Sequence, residues 1–167
     1  MNVYCFVDSP IGPLMLSSDG EALTGLYMGK PSKRPNLEGW VEDAEHPVLK
    51  KTARQLQEYF AGKRRHFELP LKFNGTEFQR RVWQLLTEIP FGETRTYGQL
   101  ARQLDNPSAC RAVGLANGKN PIAVIVPCHR VIGADGSLTG FGGGLPRKEW
   151  LLSHEGFAGI RTLDLAI

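Results

Sequence analysis

The apolar pattern of this 167-residue chain changes period partway along, and that change limits the folds open to it. Up to residue 75, apolar residues come in short runs divided by turn signals. Cys5-Phe6-Val7, Leu14-Met15-Leu16 and the run from Leu23 to Met28 are separated by Pro10-Ile11-Gly12-Pro13 and Ser18-Asp19-Gly20. Such runs predict an antiparallel meander. Residues 29–46 are polar, rich in Pro, Lys and Glu, and are expected to form a surface loop. Pro47 suits the first position of a helix, and Leu49, Ala53, Leu56 and Phe60 follow at helical spacing. Ala61-Gly62 ends that helix, and His66-Phe67-Glu68-Leu69 is expected to return as a strand.

Beyond Asn74-Gly75 the pattern is helical. Thr76 with Gln79 makes a capping box, and Phe78, Val82, Leu85, Leu86 and Ile89 mark a buried face that Pro90-Phe91-Gly92 stops. A second helix is expected over Tyr97 to Leu104, and Asp105-Asn106-Pro107 is a turn. Ser108 is expected to cap a third helix, whose small face is Ala109, Ala112, Val113 and Ala116. Two short helices across a tight turn, the second bearing Arg111, resemble a helix-turn-helix. The same pairing is common in proteins that never touch DNA. Pro146 opens a last helix through Trp150, Leu151 and Leu152, ended by Gly156. The fold class is therefore α/β (α+β), with a sheet-and-helix domain over 1–75 and a mostly helical domain over 76–167.

No stretch approaches the roughly 20 apolar residues of a membrane span. The start, Met1 to Phe6, lacks the basic region of a secretory signal. Three cysteines, Cys5, Cys110 and Cys128, are poor material for a disulfide framework, and a reducing, cytoplasmic setting fits them best. Net charge is +3; residues 1–75 carry ten basic and nine acidic groups, residues 76–167 ten and eight. Nucleic-acid binding must then come from local arrangement.

The apolar run Ile122 to Val126 is expected to be a buried strand, which Pro127 ends. Cys128-His129-Arg130 follows. A free cysteine after such a run is often a small core residue. Polar His129 and Arg130 instead place it at a cleft, where a cation or imidazole lowers a thiol pKa into the reactive range. On residues alone, a packing cysteine and a nucleophile both stand, and a multiple-turnover cysteine hydrolase is one form of the second. No metal is expected: C-x-x-C pairs are absent, and Cys5 with His46 and His66 is thin support for zinc.

Several words in order are more specific. Thr94-Arg95-Thr96-Tyr97-Gly98-Gln99-Leu100-Ala101, Arg111-Ala112-Val113-Gly114, Ala116-Asn117-Gly118, Asn120-Pro121, Pro127 to Gly133 and Arg147 to Leu152 closely resemble the O6-alkylguanine-DNA alkyltransferases. Asp8 to Leu14 resembles the family's amino-terminal opening, so the likeness covers nearly the whole chain, more loosely over 29–70.

The resemblance implies a ribonuclease H-like amino-terminal domain and a suicidal repair reaction without cofactor. An alkyl group would move from O6 of a guanine, extruded from duplex DNA, onto Cys128. His129 would take the thiol proton through a water, Glu155 would orient the imidazole, Asn120 would hold the turn, and Tyr97 would act on the target nucleotide. Arg111 matches the arginine that fills the gap left by the base, on a helix entering the minor groove. Thr96, Gln99, Ala112, Gly114, Asn117 and Arg130 are further DNA contacts by resemblance. Val131, Phe141 and Gly142 are substrate contacts, with residues 138–144 lining the alkyl pocket. Phe141 stands where many relatives have tyrosine, and the glycines beside it suggest that bulky adducts such as benzyl fit. The implied partner is duplex DNA carrying O6-alkylguanine, met by a monomer away from membranes. Adduct preference, O4-alkylthymine repair and cooperativity on DNA are left open. A non-catalytic damage binder would carry another residue at Cys128, and a phosphotriester-accepting regulator would need an added metal-held cysteine domain.

Overall fold

The computed structural model describes residues 1–29, 34–138 and 141–157. β1 (Val3–Val7), β2 (Leu14–Ser18) and β3 (Leu23–Met28) form the expected antiparallel meander. Asp19 Oδ1 accepts from the amides of Glu21 and Ala22, both at 2.9 Å, closing the second turn. The 29–46 stretch is not all loop, since β4 (Val41–Glu42) pairs parallel with β1 and completes the order β3-β2-β1-β4.

α1 (Pro47–Phe60) starts at the expected proline, with His46 Nδ1 accepting from the Val48 amide at 3.3 Å. Its buried face is Leu49, Thr52, Gln55, Leu56 and Tyr59, leaving Ala53 and Phe60 partly exposed. Two polar residues on that face hid it from an apolar count. Thr52 Oγ1 donates to the Val48 carbonyl at 2.7 Å. The Gln55 carboxamide brackets Glu68, accepting from its amide at 2.9 Å and donating to its carbonyl at 3.2 Å. That side chain supplies what a neighbouring strand would. Residues 66–69 are consequently not a strand, and the chain reaches the sheet only where Leu71 bridges Leu23.

The contacts divide the chain into two units. The first holds residues 1–74 together with 121–125; the second holds 75–120 and the described residues from 126 onward. The 122–126 run is buried but is not a strand. Ile122 makes a single bridge to Leu26. Beyond it, the Ile125 amide donates to Ala123 and the Cys128 amide to Val126, both at 2.8 Å. Val124 lies at φ 71°, a left-handed conformation that costs a β-branched residue about 1–3 kcal/mol. Apolar runs of this length do not by themselves distinguish a strand from other buried chain.

In the second unit, α2 (Glu77–Leu86) carries the Thr76–Gln79 capping box. It buries Val82, Trp83 and Leu86, while Phe78 and Leu85 are only partly covered. Trp83 Nε1 donates to the Ala116 carbonyl at 2.8 Å, an anchor that apolar spacing did not reveal. β5 (Arg95–Thr96) runs straight into α3 (Tyr97–Gln103), whose Thr96–Gln99 capping box is complete. α3 ends in a Schellman arrangement: Asp105 sits at φ 56°, and Asn106 and Asp105 donate back to Ala101 and Arg102, each at 3.0 Å. A 3-10 turn over Pro107–Ala109 then leads into α4 (Cys110–Gly118). Ser108 does not cap α4; its hydroxyl donates to Asn106 Oδ1 at 3.0 Å and stiffens the turn. β6 (Val131–Ile132) pairs parallel with β5, and α5 (Leu145–His154) follows, with Pro146 in its first turn. Among the described residues, no helix is long and apolar enough to cross a membrane.

Candidate active site

Cys128, His129 and Arg130 form one 3-10 turn that passes directly into β6. Two asparagines fix its backbone. Asn120 Nδ2 donates to the Val126 carbonyl at 2.7 Å, and Asn117 Nδ2 to the Cys128 carbonyl at 3.4 Å. Parallel pairing of β6 with β5, Arg95 opposite Val131 and Thr96 opposite Ile132, ties the strand that leaves this turn to the strand that leads into α3.

Behind the thiol lies a buried charged cluster. Glu155 accepts two bonds from Arg130, Nε to Oε1 at 2.8 Å and Nη2 to Oε2 at 3.0 Å. His129 Nε2 meets Glu155 Oε2 at 2.8 Å. Arg130 Nη1 donates to the Ile89 carbonyl at 2.6 Å, and its guanidinium lies over the Phe91 ring. Burial pushes the Glu155 carboxyl up, but the bonds from His129 and Arg130 hold it well below the usual carboxylate range. An ionised carboxylate only accepts, so Nε2 carries the imidazole proton. Nδ1 is then a lone-pair acceptor, and it is buried without a hydrogen-bond partner among the described residues. Burial also lowers the His129 pKa, outweighing Glu155, so the ring rests neutral. The carboxylate thus fixes the imidazole in one tautomer, an arrangement suited to a base and its orienting acid.

The thiol differs from expectation. Cys128 is only 5% exposed, and burial pushes its pKa up, against the opposing pull of Asn120 and Lys148. It rests as a thiol, so reaction would require a neighbouring group to take its proton. Lys148 was not anticipated as a site residue. Its ammonium is fully buried on α5, donates to the Val131 carbonyl at 2.5 Å, and has its pKa lowered by burial to about 8, with the Cys128 charge opposing. The sequence hint was a lysine inside the otherwise buried stripe Lys148, Leu151, Leu152.

Other site residues divide by exposure. On α4, Arg111, Ala112 and Leu115 face outward, Leu115 being 66% exposed and unforeseen. Ala116 and Asn117 face inward, and the buried Asn117, expected to meet DNA, is instead turned toward the Cys128 carbonyl. Arg130 likewise is spent on Glu155 and Ile89, which removes it from the DNA-contacting set. Thr96 and Gln99 bond each other's backbones at the cap, at 3.1 and 2.8 Å, and Gln99 remains exposed. Tyr97 packs against α4; a Cβ on Gly114 would lie 3.7 Å from its ring. Val131 is buried, Phe141 partly buried and Gly142 exposed. Thr139 and Gly140, within the expected alkyl pocket, lie outside the described residues. Among the described residues, no group of His, Cys, Asp and Glu could hold a metal ion.

A thiol backed by a histidine–glutamate pair, carried by a unit with a helix-turn-helix, defines a class of protein that joins a cysteine site to a helix pair suited to nucleic acid. Comparison with known proteins narrows the class. Residues 77–157 match the family model described as 6-O-methylguanine DNA methyltransferase, DNA binding domain, and residues 2–73 that of the same methyltransferase's ribonuclease-like domain. A Mycobacterium leprae methylated-DNA–protein-cysteine methyltransferase is 52% identical over 164 residues, 98% of each chain. One from Methanosarcina acetivorans is 52% identical over 92% of this chain and 97% of its own. A Mycobacterium tuberculosis OGT crystallised in complex with DNA superposes with a TM-score of 0.86, at 51% identity over 92% of this chain and 93% of its own. The chain belongs to the 6-O-methylguanine DNA methyltransferase family.

Proposed function

We propose that this protein repairs DNA by moving an alkyl group from O6 of guanine in duplex DNA to Cys128 Sγ, once per molecule. The observation that carries this reading is the fixed His129 tautomer beside a buried thiol. Nδ1 takes the Cys128 proton through a bridging water, and Glu155, itself held in place by Arg130, stabilises the imidazolium that results. Sγ then forms a bond to the alkyl carbon as the carbon–O6 bond breaks. The electron pair stays with guanine, which takes a proton from Tyr97; solvent reprotonates the phenolate and receives the proton that the His129 imidazolium then releases. General-base help of this kind contributes about 10²- to 10⁴-fold. Water does not displace a thiolate from the thioether, so the thiol is not regenerated.

A thiol 5% exposed cannot reach a stacked base, so the nucleotide must be extruded, at a cost of a few kcal/mol. The outward row Arg111, Ala112 and Leu115 supports insertion of α4 into the minor groove, with Arg111 taking the vacated space. Partly buried Phe141 and exposed Gly142 wall the alkyl pocket, which accepts benzyl as well as methyl. The protein acts as a monomer in the cytoplasm, where its cysteines stay reduced. Intact mass after mixing with duplex containing O6-methylguanine tests the reading. One methyl should be gained, mapping to Cys128 and absent in Cys128→Ser; catalytic turnover without a mass change would overturn it. A failure of O6-benzylguanine to inactivate the protein would remove the pocket assignment.

A further inference from the structure

A groove of about 370 Å³ on the second unit is lined by Arg95, Gln99, Arg102 and Gln103. Only Gln99 among these is assigned above. The spacing places all four on one side of β5 and α3, and the lining holds two guanidiniums, two carboxamides and no carboxylate. Gln99, Arg102 and Gln103 are exposed. Arg95 Nη1 is steadied by the Thr94 carbonyl at 2.8 Å and by Glu93 at 3.2 Å. The Glu93 pair is solvent-facing, and such pairs contribute about 0–1 kcal/mol, little against a dense anion.

The groove lies close to α4. A Cβ built on Gly98 would lie 3.6 Å from Arg102 Nη1 and 3.9 Å from Cys110 Sγ, so Arg102 and the first residue of α4 border the same position on α3. Arg111 is the next residue. Guanidinium forks match phosphate oxygens in geometry. With a net charge of only +3, the attraction for a polyanion has to be concentrated in clusters such as this one.

We propose that this groove seats backbone phosphates of one strand of the duplex, Arg95 and Arg102 holding the DNA in register beside α4. This rests on the repair reading above and names two positioning residues that act on the backbone rather than the lesion. Phosphate contacts fix orientation without reading sequence.

The test is the salt dependence of binding to a duplex carrying O6-methylguanine. In Arg95→Gln/Arg102→Gln, the slope of log K against log salt should become shallower by about 2, near 0.9 for each phosphate released. Arg95→Lys/Arg102→Lys, which keeps the charges, should retain the wild-type slope. An unchanged slope in the glutamine pair overturns the site, as does a lysine pair as shallow as the glutamine pair. If the glutamine pair does not fold, exposed Arg102→Gln is read on the same axis, with half the change expected and no change overturning the site. No binding of the duplex by the wild-type protein would overturn the repair reading as well.

Discussion

Glu155 Oε2 lies 2.8 Å from His129 Nε2, with both side chains removed from solvent and Arg130 bound to the same carboxylate. The carboxylate therefore sets the imidazole tautomer and neutralises a buried guanidinium at once. Glu155→Gln should lower the rate of alkyl transfer by about 10²- to 10⁴-fold, as the base loses its partner. It should also cost about 3–5 kcal/mol in urea unfolding, because Arg130 is left buried and uncompensated. A variant that loses stability but keeps its single-turnover rate would separate the two roles and remove the first.

The pH dependence follows from the same cluster. Burial depresses the His129 pKa below its ordinary value of 6.5, so the folded protein binds fewer protons there than the unfolded chain. This group's stabilisation is present above pH 6.5 and is lost as pH falls toward the folded pKa. Glu155, held low, adds stability above its unfolded value near 4.5 that is lost on further acidification. Unfolding free energy should thus decline on acidification from pH 6.5. Reaction with O6-benzylguanine should hold its rate through pH 6.5 and fall only below it. A rate that halves near or above pH 6.5 would contradict a depressed histidine.

Lys148 places a cation against a thiol that burial makes hard to ionise. Lys148→Met removes the charge while keeping an unbranched apolar chain. The Cys128 pKa should rise, and thiolate-dependent alkylation at neutral pH should slow about tenfold for each unit of rise. Ultraviolet titration of the thiolate, referenced to Cys128→Ser, measures the shift directly.

Much of this site was legible because it is local in sequence. The turn Cys128–Arg130 and the caps at Thr76 and Thr96 are set by neighbouring residues, so pattern and spacing expose them. Partners distant in sequence were legible only through resemblance, as with Glu155, which on its residues alone is an ordinary helix-end charge. The direction of Arg130 was not legible at all. An arginine after a reactive histidine suits DNA as well as a buried carboxylate, and only packing decides between them. Lys148 and Gln55 escaped for a related reason: apolar counting treats a polar residue on a buried stripe as an interruption, whereas each satisfies distant backbone. The 122–126 run misled because burial, not strand pairing, is what its apolar content recorded.

Gly92 links the end of α2 to the site. It lies at φ 81°, and a Cβ there would come within 3.3 Å of the Glu155 carbonyl. Gly92→Ala should cost about 1–3 kcal/mol from backbone strain alone. Because the loop that would shift also carries the Ile89 carbonyl bound by Arg130, alkyl transfer should slow as well. Thermal unfolding and the benzylguanine rate, measured together, check both; native values for each would show that the loop absorbs the methyl group.

Arg111 faces outward on α4, while the chemistry sits on a buried turn. If its work is to hold open the space left by an extruded nucleotide, it matters only when a duplex must be disrupted. Free O6-benzylguanine has no stack to break. Arg111→Ala should therefore slow repair in duplex DNA far more than it slows reaction with the free base. The difference should approach the few kcal/mol that unstacking costs, or about tenfold for each 1.4 kcal/mol. A single-stranded oligonucleotide with the same lesion should fall between the two, because its base is only partly stacked. Equal loss on all three substrates would mean that Arg111 supports the thiol's surroundings and not the opened helix.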